Sequence, residues 1–372
     1  MGEEFARLRD EIANLDRGLL ELMERRFQLA AEVGRIKAER GQPVVVREVE
    51  QRVLSRARER ATACGVTPDV MESIFSAIIR GSVERQHRVG VSLRASGGRQ
   101  LLVIGGAGAM GSWMIRFLEG IGHRVEAVDT AWSSLPPRAG RYGALADVPD
   151  PERFDGILVA VSLGASASVL DRLADLAIPT PVVEIASIKS QLEDSLARLR
   201  AAGTPVVSLH PMFGPGKNPY EPLTFVHAVL EDEEEETRRI LEIFRHPYLD
   251  LVSLPFKRHD RLMGWILGLA HLCGMLFAGA LTRSKLDPEE LGRVASTTFA
   301  RQVDTSRSVL GEDPALYFAI QRLNPHRGEV YAALTAAIGE LTGAVESEDR
   351  EVFTTLLERA AGSLPPPGVD HS

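Results

Sequence analysis

Along the first forty residues the apolar side chains fall in a seven-residue repeat. Phe5, Ile12, Leu19 and Val33 alternate with Leu8, Leu15, Leu22, Leu29 and Ile36. Two apolar positions per heptad on one seam predict a single long amphipathic helix. A helix of that length spans roughly 55 Å at 1.5 Å per residue. That exceeds the width of a compact domain of this size, so the stripe is expected to pack on a second chain, making a homodimer. Two shorter helices are predicted over 48–62 and 69–87, the second introduced by Thr67-Pro68-Asp69. Residues 1–90 therefore read as an all-helical domain.

The pattern changes after the connector "GVSLRASGGRQ". Short β-branched runs, "LLVI", "RVEAV", "ILVAV", "PVVEI" and "PVVSL", alternate with segments of helical length and pattern. That rhythm predicts βαβ units and a mostly parallel sheet covered on both faces, over residues 99–254. The acidic run "EDEEEE" (231–236) suits the positive end of one more helix. Residues 255–365 return to helical periodicity. Within them "LMGWILGLAHLCGMLFAGAL" (262–281) is almost wholly apolar and about as long as a bilayer-spanning helix. It carries His271 and several small residues and no other span accompanies it. It is expected to be a helix buried all round, in a core or a subunit interface, and not in a membrane.

Composition narrows the picture. At 372 residues the chain is too long for one core. Its net charge of −8 argues against nucleic acid as a partner. Cys64 and Cys273 offer neither a disulfide framework nor metal-ligand spacing, and no metal site is expected. The N-terminus "MGEEFARLRDE" lacks the apolar core of a signal peptide, so a reducing cytoplasm is the expected compartment.

The first chemistry-bearing motif is "VIGGAGAMG", with Gly106-x-Gly108-x-x-Gly111 directly after a strand and opening a helix. Glycines there permit a tight turn and close approach to a pyrophosphate, while the helix start offers N–H groups to the anion. Asp129 ends the next strand, 18 residues beyond Gly111, where a carboxylate bonds ribose hydroxyls and repels a 2′-phosphate. Together these predict a Rossmann-type domain that binds NAD, with Gly106, Gly108, Met110, Gly111 and Asp129 as cofactor-binding candidates. His210 ends the later strand "PVVSL". Alone it could be an imidazole satisfied by backbone groups. In an open α/β sheet, however, ligands bind beyond the carboxyl ends of the strands, which makes His210 a catalytic candidate.

The helical domain offers a second constellation. Arg26 stands where the heptad calls for an apolar residue, and Lys37 follows three turns later on nearly the same face. Ser82 and Gln86 prolong the stripe of Ile74 and Ile78 in the third helix. A buried unpaired guanidinium is costly, so Arg26 either sits in a buried ion pair that fixes register or lines a pocket for a small polyanion.

"LRDEIANLDRGLLELMERRFQLAAEVGRIK", "VIGGAGAMG", "EIASIKS", "LHPMFGPG" and "HDRLMGW" together resemble the bifunctional T-proteins, in which chorismate mutase is fused to prephenate dehydrogenase. The resemblance covers essentially the full chain. It implies three parts: an all-α mutase domain, a Rossmann-type NAD-binding domain and an all-α dimerisation domain. It also implies two steps of tyrosine biosynthesis, chorismate to prephenate and then prephenate to 4-hydroxyphenylpyruvate with NAD⁺. By the same resemblance Arg26, and Arg9 from the partner chain, hold substrate carboxylates. Lys37 and Gln86 reach the ether oxygen, Glu50 the ring hydroxyl, and Ser82 belongs to the same pocket. In the dehydrogenase His210 accepts a hydrogen bond from the C4 hydroxyl, Ser187 orients its imidazole, Lys189 contacts cofactor or substrate, and His259 lines the substrate side.

Two positions depart from the family pattern. Val49 stands where an arginine usually precedes the glutamate matched by Glu50, with Arg47 and Arg52 nearby. Five residues before Asp313-Pro314 the family has a substrate-carboxylate arginine; here that position is Ser308, with Arg307 next to it and Arg301 earlier, so these two become the candidates. Both departures touch substrate anchoring. They leave open a 4-amino-4-deoxy substrate, or a dehydrogenase with a vestigial, regulatory mutase domain.

Overall fold

The computed structural model describes residues 2–40, 47–93, 98–134, 139–219, 221–246 and 248–365. The heptad stripe becomes one helix, α1 (Gly2–Glu39), followed by α2 (Arg47–Ala63) and α3 (Pro68–Leu93). α1 and α3 pack closely because small residues face the crossing. A Cβ on Gly34 would stand 2.6 Å from Gln86 Cα, so no larger residue fits where the two backbones meet. Most of the stripe is uncovered within one chain: Phe5, Ile12, Leu15, Leu19 and Leu22 are all exposed.

The middle of the chain forms β1 (Gln100–Ile104), α4 (Ala109–Gly120), β2 (Arg124–Val128), β3 (Arg141–Tyr142), β4 (Gly156–Val159), α5 (Leu163–Leu176), β5 (Val182–Glu184), α6 (Glu193–Ala201), β6 (Val206–Pro211), β7 (Leu223–Val229), α7 (Glu233–Phe244) and β8 (Leu249–Pro255). The sheet order is β3-β2-β1-β4-β5-β6-β7-β8, with β1/β2, β2/β3 and β5/β6 parallel. The first six follow the 3-2-1-4-5-6 order of dinucleotide-binding sheets. All five strands read from β-branched runs are present; four are largely buried, and β2 is buried only at its Ala127–Val128 end. Three more were not read. β3 pairs over only two residues, too few to leave a period. β7 carries His227 in its middle, and β8 is mixed in polarity and only partly buried.

The C-terminal region is all helix: α8 (Phe256–Met263), a π-helical turn over Gly264–Leu269, then α9 (Ala270–Ser284), α10 (Pro288–Arg293), α11 (Thr297–Leu310), α12 (Pro314–Leu323), α13 (Arg327–Glu346) and α14 (Arg350–Gly362). The side chain of Gln321 donates to Gly268 O at 2.9 Å and so satisfies one carbonyl of the π turn. Of the two expectations for this segment, burial in a core of its own chain is corrected. Phe256–Ser284 is long and apolar enough to cross a membrane, yet only 22% of its most apolar window is buried, and Trp265, Ile266 and Leu276 are exposed. α9 is covered by α11 along one side and its His271 meets Tyr317 of α12 edge-on, while Leu276 is left exposed among the described residues.

By contacts the chain divides into two compact units. One holds residues 1–158, 212–225 and 237–251; the other holds 159–211, 226–236 and 252–372.

Candidate active sites

In the first unit, the three N-terminal helices enclose a cavity of about 110 Å³ lined by Arg26, Lys37, Val49, Glu50, Ser82 and Gln86, with Val53, Ile79 and Val83 as its apolar wall. Five of the residues expected in a mutase pocket thus meet there. The Arg26 guanidinium donates to Ile78 O at 3.2 Å and to Ser82 Oγ, and burial lowers its pKa. Lys37 is also pushed down by burial, an effect opposed by the charge of Glu50. Gln86 Oε1 is buried with no hydrogen-bond partner among the described residues. An unsatisfied buried amide costs about 1–3 kcal/mol. A half turn of the amide would set its NH₂ at the same spot, as a donor toward whatever enters. Arg9 stands apart: it is exposed, and its guanidinium lies 4.8 Å from the ring of Phe5. Arg47 has no described side chain, and Arg52 donates to Glu48 O on its own helix.

The glycine loop lies in the same unit. Gly105 has φ +92°, and a Cβ on Gly111 would stand 2.0 Å from Gly105 O, so α4 can start against the loop only with glycine at 111. Gly108 is exposed, and a Cβ there would meet nothing closer than 3.4 Å. Space for a ligand therefore opens above this turn. Met110 is half-buried beside it. Asp129 Oδ2 accepts from Ala107 N at 2.9 Å, and Oδ1 accepts from Ala131 N at 2.9 Å. Its carboxylate is thus held at the mouth of the loop. Loop, helix start and carboxylate together fit a dinucleotide with free ribose hydroxyls.

In the second unit, His210 ends β6 and is buried; its Nδ1 lies 3.1 Å from Nε2 of His259 on α8. His259 Nδ1 lies 2.7 Å from Asp260 Oδ1. The Asp260 carboxylate also accepts the backbone N–H groups of Lys189 at 2.8 Å and Ser190 at 2.7 Å. Burial alone would raise this carboxyl. Hydrogen bonds from His259, Ser190 and the backbone outweigh it and bring the pKa down to about 2. A carboxylate only accepts, so His259 Nδ1 carries the proton and its Nε2 holds a lone pair. That lone pair takes the Nδ1–H of His210. His210 Nε2 is then left as an acceptor. Burial, then the neighbouring His259 and Lys189, hold the His210 pKa well below its usual value, so the ring stays neutral.

Two expectations for this site are corrected. The partner of His210 Nδ1 is His259, and no hydrogen bond joins Ser187 to His210 among the described residues. Lys189 does not face a ligand. It is fully buried, its Nζ 2.6 Å from Glu184 Oε1 and donating at 2.6 Å to Leu209 O, the carbonyl just before His210. Arg301 and Arg307 are both exposed on α11; Arg307 pairs with Asp304 at 3.5 Å, and among the described residues no hydrogen bond joins either to His210 or His259. Sequence reasoning missed Asp260 and Glu184. "HD" in "HDRLMGW" and "E" in "EIASIKS" were in view, but only the fold shows what each carboxylate holds.

Residues 8–87 match the family model for chorismate mutase type II, and residues 255–359 match that for the prephenate dehydrogenase dimerization domain. This chain joins a chorismate mutase type II domain to a prephenate dehydrogenase dimerization domain. The T-protein of Enterobacter agglomerans is 26% identical over 360 residues, 96% of this chain and 92% of that one. The 4-amino-4-deoxyprephenate dehydrogenase of Streptomyces pristinaespiralis is 27% identical over 277 residues, 72% of this chain and 92% of that one. Prephenate dehydrogenase from A. aeolicus, solved with hydroxyphenyl propionate and NAD⁺, has the same fold at a TM-score of 0.57 and 17% identity, covering 71% of this chain and 96% of that one. Arg26, Lys37 and Gln86 fall within the matched mutase stretch, and His259 and Asp260 within the matched dimerization stretch.

Proposed function

We propose that this T-protein-like chain catalyses two consecutive steps of tyrosine biosynthesis, chorismate to prephenate and then NAD-dependent oxidative decarboxylation of prephenate to 4-hydroxyphenylpyruvate. The observation that carries the reading is coverage: the likeness to a T-protein runs over 96% of the chain and so includes the lined cavity, the glycine loop and the imidazole pair.

The mutase reaction is pericyclic and needs no nucleophile. The enzyme's task is to hold the folded dicarboxylate and to stabilise charge developing on the ether oxygen. Arg26, with Ser82 fixing its guanidinium, would take one carboxylate. Lys37 and Gln86, whose Oε1 has no partner among the described residues, would reach the ether oxygen, and Glu50 would accept from the ring hydroxyl. Arg9 is too far along α1 to join them within one chain, about 25 Å from Arg26 at 1.5 Å per residue. It would serve the pocket of a partner chain, which agrees with the uncovered stripe of α1. A homodimer would also cover the apolar surface of α9, in the region matched by the dimerization-domain model. We place the enzyme in the cytoplasm, where its two free cysteines remain reduced.

In the dehydrogenase step, NAD⁺ when bound accepts a hydride from C4 of prephenate. Gly106, Gly108, Met110 and Gly111 would cradle its pyrophosphate and Asp129 its ribose. As C4 loses electron density, His210 Nε2 would accept a hydrogen bond from the C4 hydroxyl. The ring carboxylate leaves as CO₂, its bonding electrons aromatise the ring, and the hydroxyl remains as the phenol. Arg301 or Arg307, brought by a partner chain, would anchor a carboxylate. Purified protein should consume chorismate without cofactor, and should form NADH only when NAD⁺ is added.

A second reading keeps the fold and replaces the hydroxyl by an amino group. It is favoured by the Streptomyces pristinaespiralis relative. Comparing kcat/KM for chorismate and its 4-amino-4-deoxy analogue separates the two.

A further inference from the structure

Glu50 of the mutase cavity has a partner from far outside the helical domain. The hydroxyl of Tyr248 donates to Glu50 Oε1 at 3.2 Å, across 198 residues of sequence. Both belong to the same compact unit, although Tyr248 lies beyond the matched mutase stretch of 8–87. Tyr248 stands immediately before β8 and is fixed from behind. Its ring packs on His246 at 5.9 Å, His246 meets Phe117 edge-on at 5.3 Å, and Phe117 stacks on Trp113 at 5.1 Å within α4. A second tie runs alongside, Arg80 of α3 with Glu221 at 3.7 Å.

A carboxylate at a cavity wall can turn about its last bond and present any of about four lone pairs. Tyr248 restricts that freedom by holding one oxygen, and a carboxylate has lone pairs enough to accept from more than one donor. Burial, and then the charge of Glu50, raise the Tyr248 pKa, so the phenol keeps its proton and remains a donor. Lys37 faces the same carboxylate from α1 and Arg80 lies near the phenol from α3.

We infer that Tyr248 is a positioning residue of the mutase pocket, holding Glu50 in the orientation in which it accepts a hydrogen bond from a hydroxyl of the substrate ring. The inference rests on the mutase reading above. That hydroxyl takes no part in bond making or breaking, so its hydrogen bond contributes equally in ground and transition states. Loss of such an interaction raises KM and leaves kcat unchanged.

Tyr248→Phe keeps the ring and its packing and removes only the donor. In full-length protein this variant should raise the chorismate KM about three- to tenfold, the scale of one weakened hydrogen bond to a charged group, with kcat and the dehydrogenase kinetics unchanged. In a Glu50→Ala background the same substitution should have no further effect, because Tyr248 acts through Glu50. An unchanged KM in Tyr248→Phe overturns the inference. So does a KM increase of the same size with Glu50 already removed, or a loss of kcat and dehydrogenase activity together, which marks a purely structural contact. A natural chain that does not turn over chorismate overturns the mutase reading and this inference with it, an outcome distinct from an active mutase indifferent to Tyr248.

Discussion

His210 Nδ1 and His259 Nε2 lie 3.1 Å apart, and Asp260, 2.7 Å beyond, determines which of the two rings donates. The direction of proton ownership runs from Asp260 outward: by accepting, it keeps the proton on His259 Nδ1, which in turn keeps one on His210 Nδ1 and leaves His210 Nε2 as the acceptor.

The most direct consequence concerns His210 itself. His210→Asn should leave NAD⁺ binding intact and lower the dehydrogenase kcat by about 10²–10⁴, the usual worth of a positioned acid–base group. Equilibrium binding of NAD⁺ beside steady-state kinetics checks both halves. Near-normal turnover would remove His210 from the mechanism.

Asp260→Asn tests the tautomer. An amide can offer either a donor or an acceptor to His259 Nδ1, so the fixed ownership is lost. We expect kcat for the dehydrogenase to fall at least about tenfold, a tenth of turnover per 1.4 kcal/mol of barrier, with the mutase unaffected. If the two activities fall in parallel, Asp260 supports the fold and not the imidazole.

The buried histidines also give stability a pH dependence. An unfolded His210 takes a proton near 6.5, whereas the folded ring, held well lower by burial and by its neighbours His259 and Lys189, does not. The unfolded state then binds more protons, and stability rises with pH. His210 therefore favours folding fully above pH 6.5, and that contribution is lost as pH falls below it. Burial lowers His259 as well, despite Asp260, so its contribution has the same sign. Denaturant midpoints should fall on acidification from neutral pH, and more shallowly in His210→Asn. A midpoint independent of pH in this range would contradict the neutral, buried pair.

Lys189 is expected to matter through the core. Lys189→Met leaves Glu184 as an uncompensated buried charge and should cost about 3–5 kcal/mol of stability. KM for NAD⁺ and prephenate, measured where the variant is folded, should change little. A large KM effect with unchanged stability would return Lys189 to the ligand.

Val49 lines the helical-domain cavity, at the position where the resemblance to the T-proteins implies an arginine. Val49→Arg should raise mutase kcat/KM, since a charge-assisted hydrogen bond adds about 1.5–3 kcal/mol, which is about one to two factors of ten. A mutase already fully active and unimproved by the change would show that another cation fills this place.

Local chemistry was legible in the sequence, and long-range pairing was not. The α1 stripe, the five β-branched strands and the glycine loop each follow from a dozen or so neighbouring residues. Arg26, Lys37 and Gln86 could be placed on one side of their helices by period alone. The pairing of His210 with His259 spans 49 residues, and nothing in either neighbourhood announces it. Lys189, in a loop-like "SIKS", gives no sign of complete burial, because its counter-charge sits across a turn at Glu184. The apolar segment 262–281 left core and subunit interface equally open for a related reason: a helix that is apolar all round reports that something covers it, not that its own chain does.

The central claim is that one chain performs both reactions. Purified full-length protein given chorismate, with and without NAD⁺, tests it when chorismate loss and NADH formation are followed together. Without NAD⁺, chorismate should disappear and prephenate accumulate; with NAD⁺, NADH and 4-hydroxyphenylpyruvate should appear in equal amounts. NADH formation from added prephenate, with chorismate untouched, would contradict the joint account and leave a dehydrogenase carrying a vestigial mutase.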